Sequence, residues 1–138
     1  MDEETEALFK MGDVVCELYV KSGFGALSAD QQRFFLVYDL AGQVGNGGIL
    51  QYFDNSTGHL AAKAADALDD LGVDRSGKSI RSALARFPGE MPPTDWEARR
   101  AVIDSLDESV GQEWDELSKV IFDEMQSITQ RRRKLVSP

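Results

Sequence analysis

The stretch Gly45-Asn46-Gly47-Gly48-Ile49-Leu50-Gln51-Tyr52-Phe53-Asp54-Asn55-Ser56-Thr57-Gly58 lies between two segments of helical pattern, and we call it the hub. Glycine takes positive φ at little steric cost, and asparagine and serine side chains bond to nearby backbone groups. The composition therefore predicts an elbow at 45–48, about a turn and a half of helix at 49–54, and a second corner at 55–58. Three hub residues at helical i, i+3, i+4 spacing are predicted to face one core: Ile49, Tyr52 and Phe53.

Apolar residues recur with helical period on both sides of the hub. Outside it, helices are predicted over 5–21, 29–44, 59–71, 74–87, 94–109 and 112–130. No stretch alternates with period two, so we predict an all-α fold, a compact bundle of about six or seven helices around the glycine-rich elbow. Residues 1–130 are predicted to form this single domain, and 131–138 a basic tail that frays.

Several residues are predicted to begin or bend these helices. Ser28 and Asp74 are predicted N-caps, and Thr94 with Glu97 matches a capping box. Gly111 is predicted to mark a bend before the last helix. The helix that begins after Thr94 is predicted to bury three residues: Ala98, Val102 and Leu106.

The charge distribution restricts the choice of partner. The 138-residue chain has a net charge of −9, yet four of its fifteen lysines and arginines are adjacent, at 131–134. Residues 1–130 therefore hold eleven positive against twenty-four negative charges, a balance of −13. Such a body repels nucleic acid and anionic membranes and attracts basic proteins. Solubility alone accounts equally well for the excess of acid, and a homodimer is left open.

The remaining composition predicts a cytoplasmic protein without a cofactor. The single cysteine, Cys16, cannot form an internal disulfide, which suits a reducing compartment. No apolar run approaches the ~20 residues of a membrane span, and the N-terminus is acidic where a signal peptide is basic. One histidine, His59, and one cysteine make a zinc site improbable, so no metal site is predicted.

One pattern resembles a nucleotide-binding loop. Residues 72–79, Gly-Val-Asp-Arg-Ser-Gly-Lys-Ser, match the G-x-x-x-x-G-K-[ST] pattern. A working loop of this kind follows a buried strand, whereas the preceding residues have helical composition and spacing. We therefore interpret Gly72 as a helix stop and predict that the chain is not an enzyme.

Acidic residues recur on predicted helix faces. Neighbours at i, i+3 and i+4 have Cβ atoms about 5–6 Å apart, so rows of carboxylates approximate a row of phosphates. A solvated surface is the simpler interpretation of the same pattern. The candidate acidic binding face comprises Asp66, Asp69, Asp70, Asp104, Asp107, Glu108, Glu113, Asp115, Glu116, Asp123 and Glu124.

The hub resembles the signature of a bacterial all-helical domain family associated with DNA mimicry, of which most members are uncharacterised. The resemblance extends more weakly over 25–128. The family has an acid shortly before the glycines, where this chain has Gln43, and an aromatic residue where it has Ile49. Nine hub residues match the signature: Asn46, Gly47, Gly48, Gln51, Tyr52, Phe53, Asn55, Ser56 and Gly58.

The resemblance implies a non-enzymatic protein that occupies the nucleic-acid site of a basic, DNA-binding partner. An immunity-type inhibitor of a basic toxin would use the same electrostatics. A third alternative is a small-ligand-binding or enzymatic domain that uses the polar hub residues between Asn46 and Ser56. Those polar groups equally suit hydrogen bonds to the backbone of two tight corners, which is their simpler role.

Overall fold

The computed structural model describes residues 2–135, and over this range the chain forms seven α-helices and no strand. The predicted all-α bundle is confirmed. No helix in the described range is long and apolar enough to cross a membrane. The helices are α1 (Glu3–Ser22), α2 (Ala29–Asp54), α3 (Ala61–Asp70), α4 (Asp74–Leu84), α5 (Trp96–Ser105), α6 (Glu108–Asp123) and α7 (Met125–Arg132).

Helix α2 is the centre of the bundle and packs against α1, α3, α5, α6 and α7. It begins with the predicted N-cap, Ser28, whose hydroxyl accepts a hydrogen bond from the Gln31 N–H at 3.2 Å. The Gln31 side chain accepts in return from the Ser28 N–H at 2.9 Å, which completes a capping box. The apolar residues of α2 are buried almost all round its circumference, as expected of a central helix.

The predicted elbow is a break inside α2. Helical geometry continues through Asn46, beyond the predicted end at residue 44, and fails at Gly47 and Gly48. Gly48 has φ +79° and ψ −173°, a conformation that only glycine adopts readily. Helix then resumes from Ile49 to Asp54, as predicted.

The corner between α3 and α4 contains the residues of the nucleotide-loop pattern. Gly72 ends α3 with φ +79°, while Gly77, Lys78 and Ser79 lie inside α4. Asp74, the predicted N-cap, is instead the first residue of α4 and forms no side-chain cap. A Cβ on Gly77 would lie 2.5 Å from the Asp69 carboxylate, so this glycine lets α3 and α4 approach closely.

The boundaries of the last two predicted helices, 94–109 and 112–130, differ from those in the structure. Helix α5 is capped by Asp95, which accepts from the Ala98 N–H at 2.9 Å, rather than by Thr94. Ala98 is exposed and Arg99 is buried in its place. The chain breaks at Asp107, which caps α6, so the predicted bend residue Gly111 lies within a helix.

The C-terminal part of the bundle differs from the prediction in a second way. A break at Glu124 divides the predicted helix 112–130 into α6 and α7. Arg131 and Arg132 form the last turn of α7, and Arg133–Leu135 continues as a short 3₁₀ turn. Residues 131–135 thus have helical geometry, 136–138 lie outside the described range, and fraying of the tail stays a prediction.

Candidate binding site

The apolar hub residues form the middle of the core. Ile49, Tyr52 and Phe53 are at most 1% exposed. The Phe53 ring lies 4.9 Å from the ring of Phe87 and 5.0 Å from that of Trp114, between centroids. These rings join α2, the segment that follows α4, and α6. The aromatic residues of the signature therefore act in packing rather than at a surface.

Ser118 of α6 accepts a hydrogen bond from a backbone N–H that the elbow leaves without a helical partner. The break at Gly48 leaves the Ile49 N–H without a helical partner, and the Ser118 hydroxyl accepts from it at 3.0 Å. The same hydroxyl donates to the Trp114 carbonyl at 2.7 Å. A Cβ on Gly48 would lie 3.2 Å from the Ser118 oxygen, so the elbow sits directly on α6.

Arg99 of α5 holds the opposite end of the hub helix. Its guanidinium is fully buried and donates to the carbonyls of Phe53 at 2.7 Å and Asn55 at 2.5 Å. Trp96 Nε1 donates to the intervening carbonyl, that of Asp54, at 2.7 Å. A cation here satisfies the free carbonyls and the negative end of the helix dipole. Burial lowers the pKa of Arg99, which nonetheless stays a cation at neutral pH.

A polar network lies along the inner limb of the elbow. Thr57 at the second corner donates to the Asp39 carboxylate at 2.5 Å. Burial raises the pKa of Asp39, opposed by its hydrogen bonds with Thr57 and Gln43. The Gln51 amide donates to the Gln43 side chain at 3.1 Å. Gln43 thus links the helical segments before and after the elbow through a neutral side chain.

Of the remaining signature residues, Asn55, Ser56 and Gly58 lie at the second corner and Asn46 lies at the elbow. Asn55 Oδ1 accepts from the Ser56 N–H at 2.6 Å, and Ser56 in turn faces the His59 ring through its carbonyl. A Cβ on Gly58 would lie 2.5 Å from the Phe53 carbonyl oxygen, too close for any residue but glycine. Asn46 is exposed and lines two grooves.

The acids of α3 lie beside cations. Arg81 of α4 pairs with Asp66 and Asp69, each at 2.7 Å. Arg33 of α2 pairs with Asp70 at 3.3 Å. The first predicted triad therefore bridges α3 to its neighbours and presents less net negative charge than its sequence suggests.

The acids around the start of α6 line a groove between α2 and the α5–α6 connection. Its volume is about 340 Å³. Leu50 and Trp114 contribute apolar surface, and Arg100 contributes a cation that pairs with Asp54 at 3.3 Å. The groove brings together four acids: Asp54, Asp104, Asp107 and Glu108.

The acids in the middle of α6 line a second groove, which runs along the elbow. This groove, about 800 Å³, has Gly45–Gly48 on one side and Glu113, Asp115 and Glu116 on the other. Glu113 pairs with Arg86 at 2.6 Å, a bond that lowers the pKa of its carboxyl. Helix α6 itself carries five acids, Glu108, Glu113, Asp115, Glu116 and Asp123, of which Glu116 pairs with Lys119 at 2.9 Å.

Glu124 has a different partner from the rest of the candidate face. Its carboxylate accepts from the Ser76 N–H at 2.7 Å and from the Ser76 hydroxyl at 2.6 Å. It therefore caps the first turn of α4, the role that sequence reasoning gave to Asp74. A distant residue supplies the cap because α4 and the α6–α7 junction pack together.

The sequence did not predict three polar residues that hydrogen-bond within and around the hub: Ser118, Arg99 and Asp39. Two of them carried a signal. Ser118 lies on the apolar stripe of α6, and Asp39 interrupts the apolar run of α2, where a polar residue needs a buried partner. Arg99 carried none, because an arginine in the sequence Glu-Ala-Arg-Arg is typical of an exposed helix face.

The family model of the DMP19-like proteins matches residues 25–137. The chain belongs to the DMP19-like family. This result confirms the resemblance that the hub signature indicated. No curated protein and no solved structure matches the chain.

Proposed function

We propose that this DMP19-like chain is a DNA mimic, an acidic binding protein that occupies the nucleic-acid-binding surface of a basic partner. Membership of the family supports this class of function. The acidic side of α6 supplies the physical means. The partner inferred from this chemistry is a DNA-binding protein with a basic cleft.

The observation that carries the proposal is the spacing of exposed acids on α6. Glu108 and Asp115 lie seven residues apart on one line of α6; Asp123 lies seven residues after Glu116, on a neighbouring line where Lys119 pairs with Glu116 at 2.9 Å. Seven helical residues advance ~10.5 Å along the axis. Phosphates on one DNA strand advance ~3.4 Å each, so one such interval matches about three phosphates. A basic cleft shaped for DNA meets charges at comparable intervals along α6.

Contacts with the hub fix the position of α6 and of the acids that it carries. Ser118 bonds to the elbow backbone from the inner face of α6, and Trp114 packs on Phe53 from the same face. The acids on the outer face are consequently held on a rigid helix rather than on a loop. Preorganised charges lose less entropy on binding than mobile ones.

The test compares two variants with equal charge change. In one, Glu108, Asp115 and Asp123 of α6 are changed to lysine; in the other, the exposed acids Glu6, Asp13 and Glu97 are. Each purified protein is immobilised, exposed to native lysate and eluted with a salt gradient. We expect the α6 variant to lose the basic DNA-binding proteins that the parent retains at low salt.

The control variant should retain those proteins with a modest shift to lower eluting salt, since it loses only long-range attraction. If both variants lost the retained proteins equally, the acids of α6 would have no special role in binding and would serve only solubility. A protein retained at high salt by both variants would instead favour a site for a neutral or apolar ligand in the hub.

A further inference from the structure

A groove between α2 and α7 contains a nearly buried cation. Its volume is about 350 Å³, within the range of small-ligand sites. It shares Asn46 with the groove that the α6 acids line. The polar residues that line it are Tyr38, Asp39, Gln43, Asn46, Thr129 and Arg132.

Arg132 is a nearly buried cation whose Nε lacks a hydrogen-bond partner among the described residues, and we infer the ligand from it. It is 9% exposed, and its guanidinium stacks on the ring of Tyr38 at 5.1 Å and on that of Phe34 at 5.6 Å. Its Nε is buried without a hydrogen-bond partner among the described residues. No ion pair joins it to a carboxylate within residues 2–135. Four other arginines each pair with an acid: Arg33, Arg81, Arg86 and Arg100.

Burying a guanidinium without an ion pair raises the free energy of the folded protein. The aromatic faces supply part of the compensation through cation–π attraction. Burial lowers the pKa of Arg132, and so does the neighbouring charge of Arg133, whereas Tyr38 raises it. An anionic group in the groove would supply the missing interaction. The two oxygens of a carboxylate suit the planar, two-pronged donor geometry of a guanidinium.

The other groups in the groove select among anions. Asp39 also lines the groove and adds a negative charge, which disfavours a dianion such as phosphate. Gln43 and Asn46 offer amide groups that both donate and accept. These surroundings suit a single carboxylate attached to a group with an N–H donor.

We propose that the α2–α7 groove binds a small carboxylate-bearing molecule, whose carboxylate pairs with Arg132 while the Gln43 and Asn46 amides orient the remainder. The carboxylate belongs either to a free small acid or to the end of a peptide chain. This site is independent of the DNA-mimic function, because it uses no acid of α6.

The binding test is a titration of ¹⁵N-labelled parent protein at constant ionic strength. The probes are sodium acetate, N-acetylglycine, N-acetylglycinamide and inorganic phosphate. We expect saturable shifts of the Gln43 and Asn46 side-chain amides and of the Thr129 amide with the two carboxylates alone. Tighter binding of N-acetylglycine than of acetate would identify the chain-end source, and equal binding the free acid.

A matched pair of variants assigns the effect to Arg132. Arg132→Gln should lose at least tenfold in affinity, whereas Arg131→Gln removes the same charge from an exposed neighbour and should bind as the parent does. Arg132→Lys keeps the charge without the two-pronged geometry and should bind several-fold more weakly. It serves as the second variant if Arg132→Gln does not fold.

Three results would overturn the proposal. Shifts in the parent that grow linearly without saturation would show no site. Equal shifts with N-acetylglycinamide, or tighter binding of phosphate than of acetate, would exclude a carboxylate as the recognised group. Equal losses of affinity in Arg131→Gln and Arg132→Gln would show that the probes are attracted to the basic end of α7 in general and not bound in the groove.

Discussion

The Nε of Arg99 donates to the carbonyl oxygen of Phe53 across 2.7 Å, joining residues 46 positions apart in the chain. Phe53 is the core residue of the hub, and Arg99 the only charged residue with no exposed surface among those described. The bond ties α5, which has few other attachments, to the end of the central helix. The hub is thus fixed at its elbow by Ser118 and at its second corner by Arg99.

We expect Arg99→Met to lower the free energy of unfolding by about 3 kcal/mol or more. The loss leaves the buried Phe53 carbonyl and the part-buried Pro93 carbonyl without a donor, at about 1–3 kcal/mol each, whereas the Asn55 carbonyl keeps the Gly58 N–H. Urea unfolding measures the change. The matched control is Arg100→Met, whose half-exposed pair with Asp54 should contribute less than about 1 kcal/mol. Similar losses in the two variants would show that the buried clamp adds nothing.

The elbow predicts opposite effects for two glycines of α2. Gly48→Ala forces a side chain into a conformation with φ +79° and should cost about 1–3 kcal/mol. Gly42 lies in the regular part of the helix with open space around its Cβ position. Gly42→Ala should therefore stabilise the protein by up to about 1 kcal/mol. Thermal unfolding compares them, and a harmless Gly48→Ala would mean that the elbow is not required.

The sequence was sufficient to predict the elements in which local chemistry decides the structure. The elbow followed from consecutive glycines, the start of α2 from Ser28, and the core positions of Ile49 and Phe53 from helical spacing. Each of these features depends on neighbours within about one helical turn, so the pattern in the chain contains the required information.

The failures share a long-range cause. Ala98 was predicted to be buried, but the end of α2 needs a donor, and this requirement rotates α5 to bury Arg99 instead. Asp74 has the right residue type to cap α4. The cap is instead supplied by Glu124, which accepts from the Ser76 N–H and lies 48 residues after Ser76 in the chain. Contacts between distant helices decide both.

Asp39 predicts a pH-dependent difference in stability. Burial raises the pKa of its carboxyl in the folded protein above the unfolded value, so ionisation opposes folding. The destabilisation is absent below the unfolded pKa and is complete once the pH exceeds the folded pKa. We expect Asp39→Asn to raise the melting temperature at pH 7.

That gain should shrink as the pH falls toward about 4, near the unfolded pKa of an aspartate. The amide oxygen that the Asp39→Asn variant carries can accept from Thr57 as the carboxylate does, so this hydrogen bond is kept. Melting curves of both proteins from pH 4 to 8 measure the difference. A variant less stable than the parent at pH 7 would show that the hydrogen bonds of the carboxylate outweigh the effect of burial.

The helix at 74–84 predicts that the nucleotide-loop pattern binds no nucleotide. Lys78 is exposed on α4, and Ser79 is buried within the same helix. We expect Lys78→Ala to change stability by less than about 0.5 kcal/mol. Added ATP with Mg²⁺ should leave the melting temperature of the parent unchanged. A thermal shift that disappears in Lys78→Ala would contradict this interpretation.

The mimicry itself is tested by competition between this chain and DNA for one partner. A basic DNA-binding protein recovered by the lysate experiment is bound to a fluorescent duplex, and the parent chain is added while anisotropy is measured. We predict that the parent releases the duplex, less effectively as salt rises, and that the Glu108, Asp115, Asp123→Lys variant does not. A duplex that stays bound while the parent joins the complex, or equal release by parent and variant, would contradict DNA mimicry.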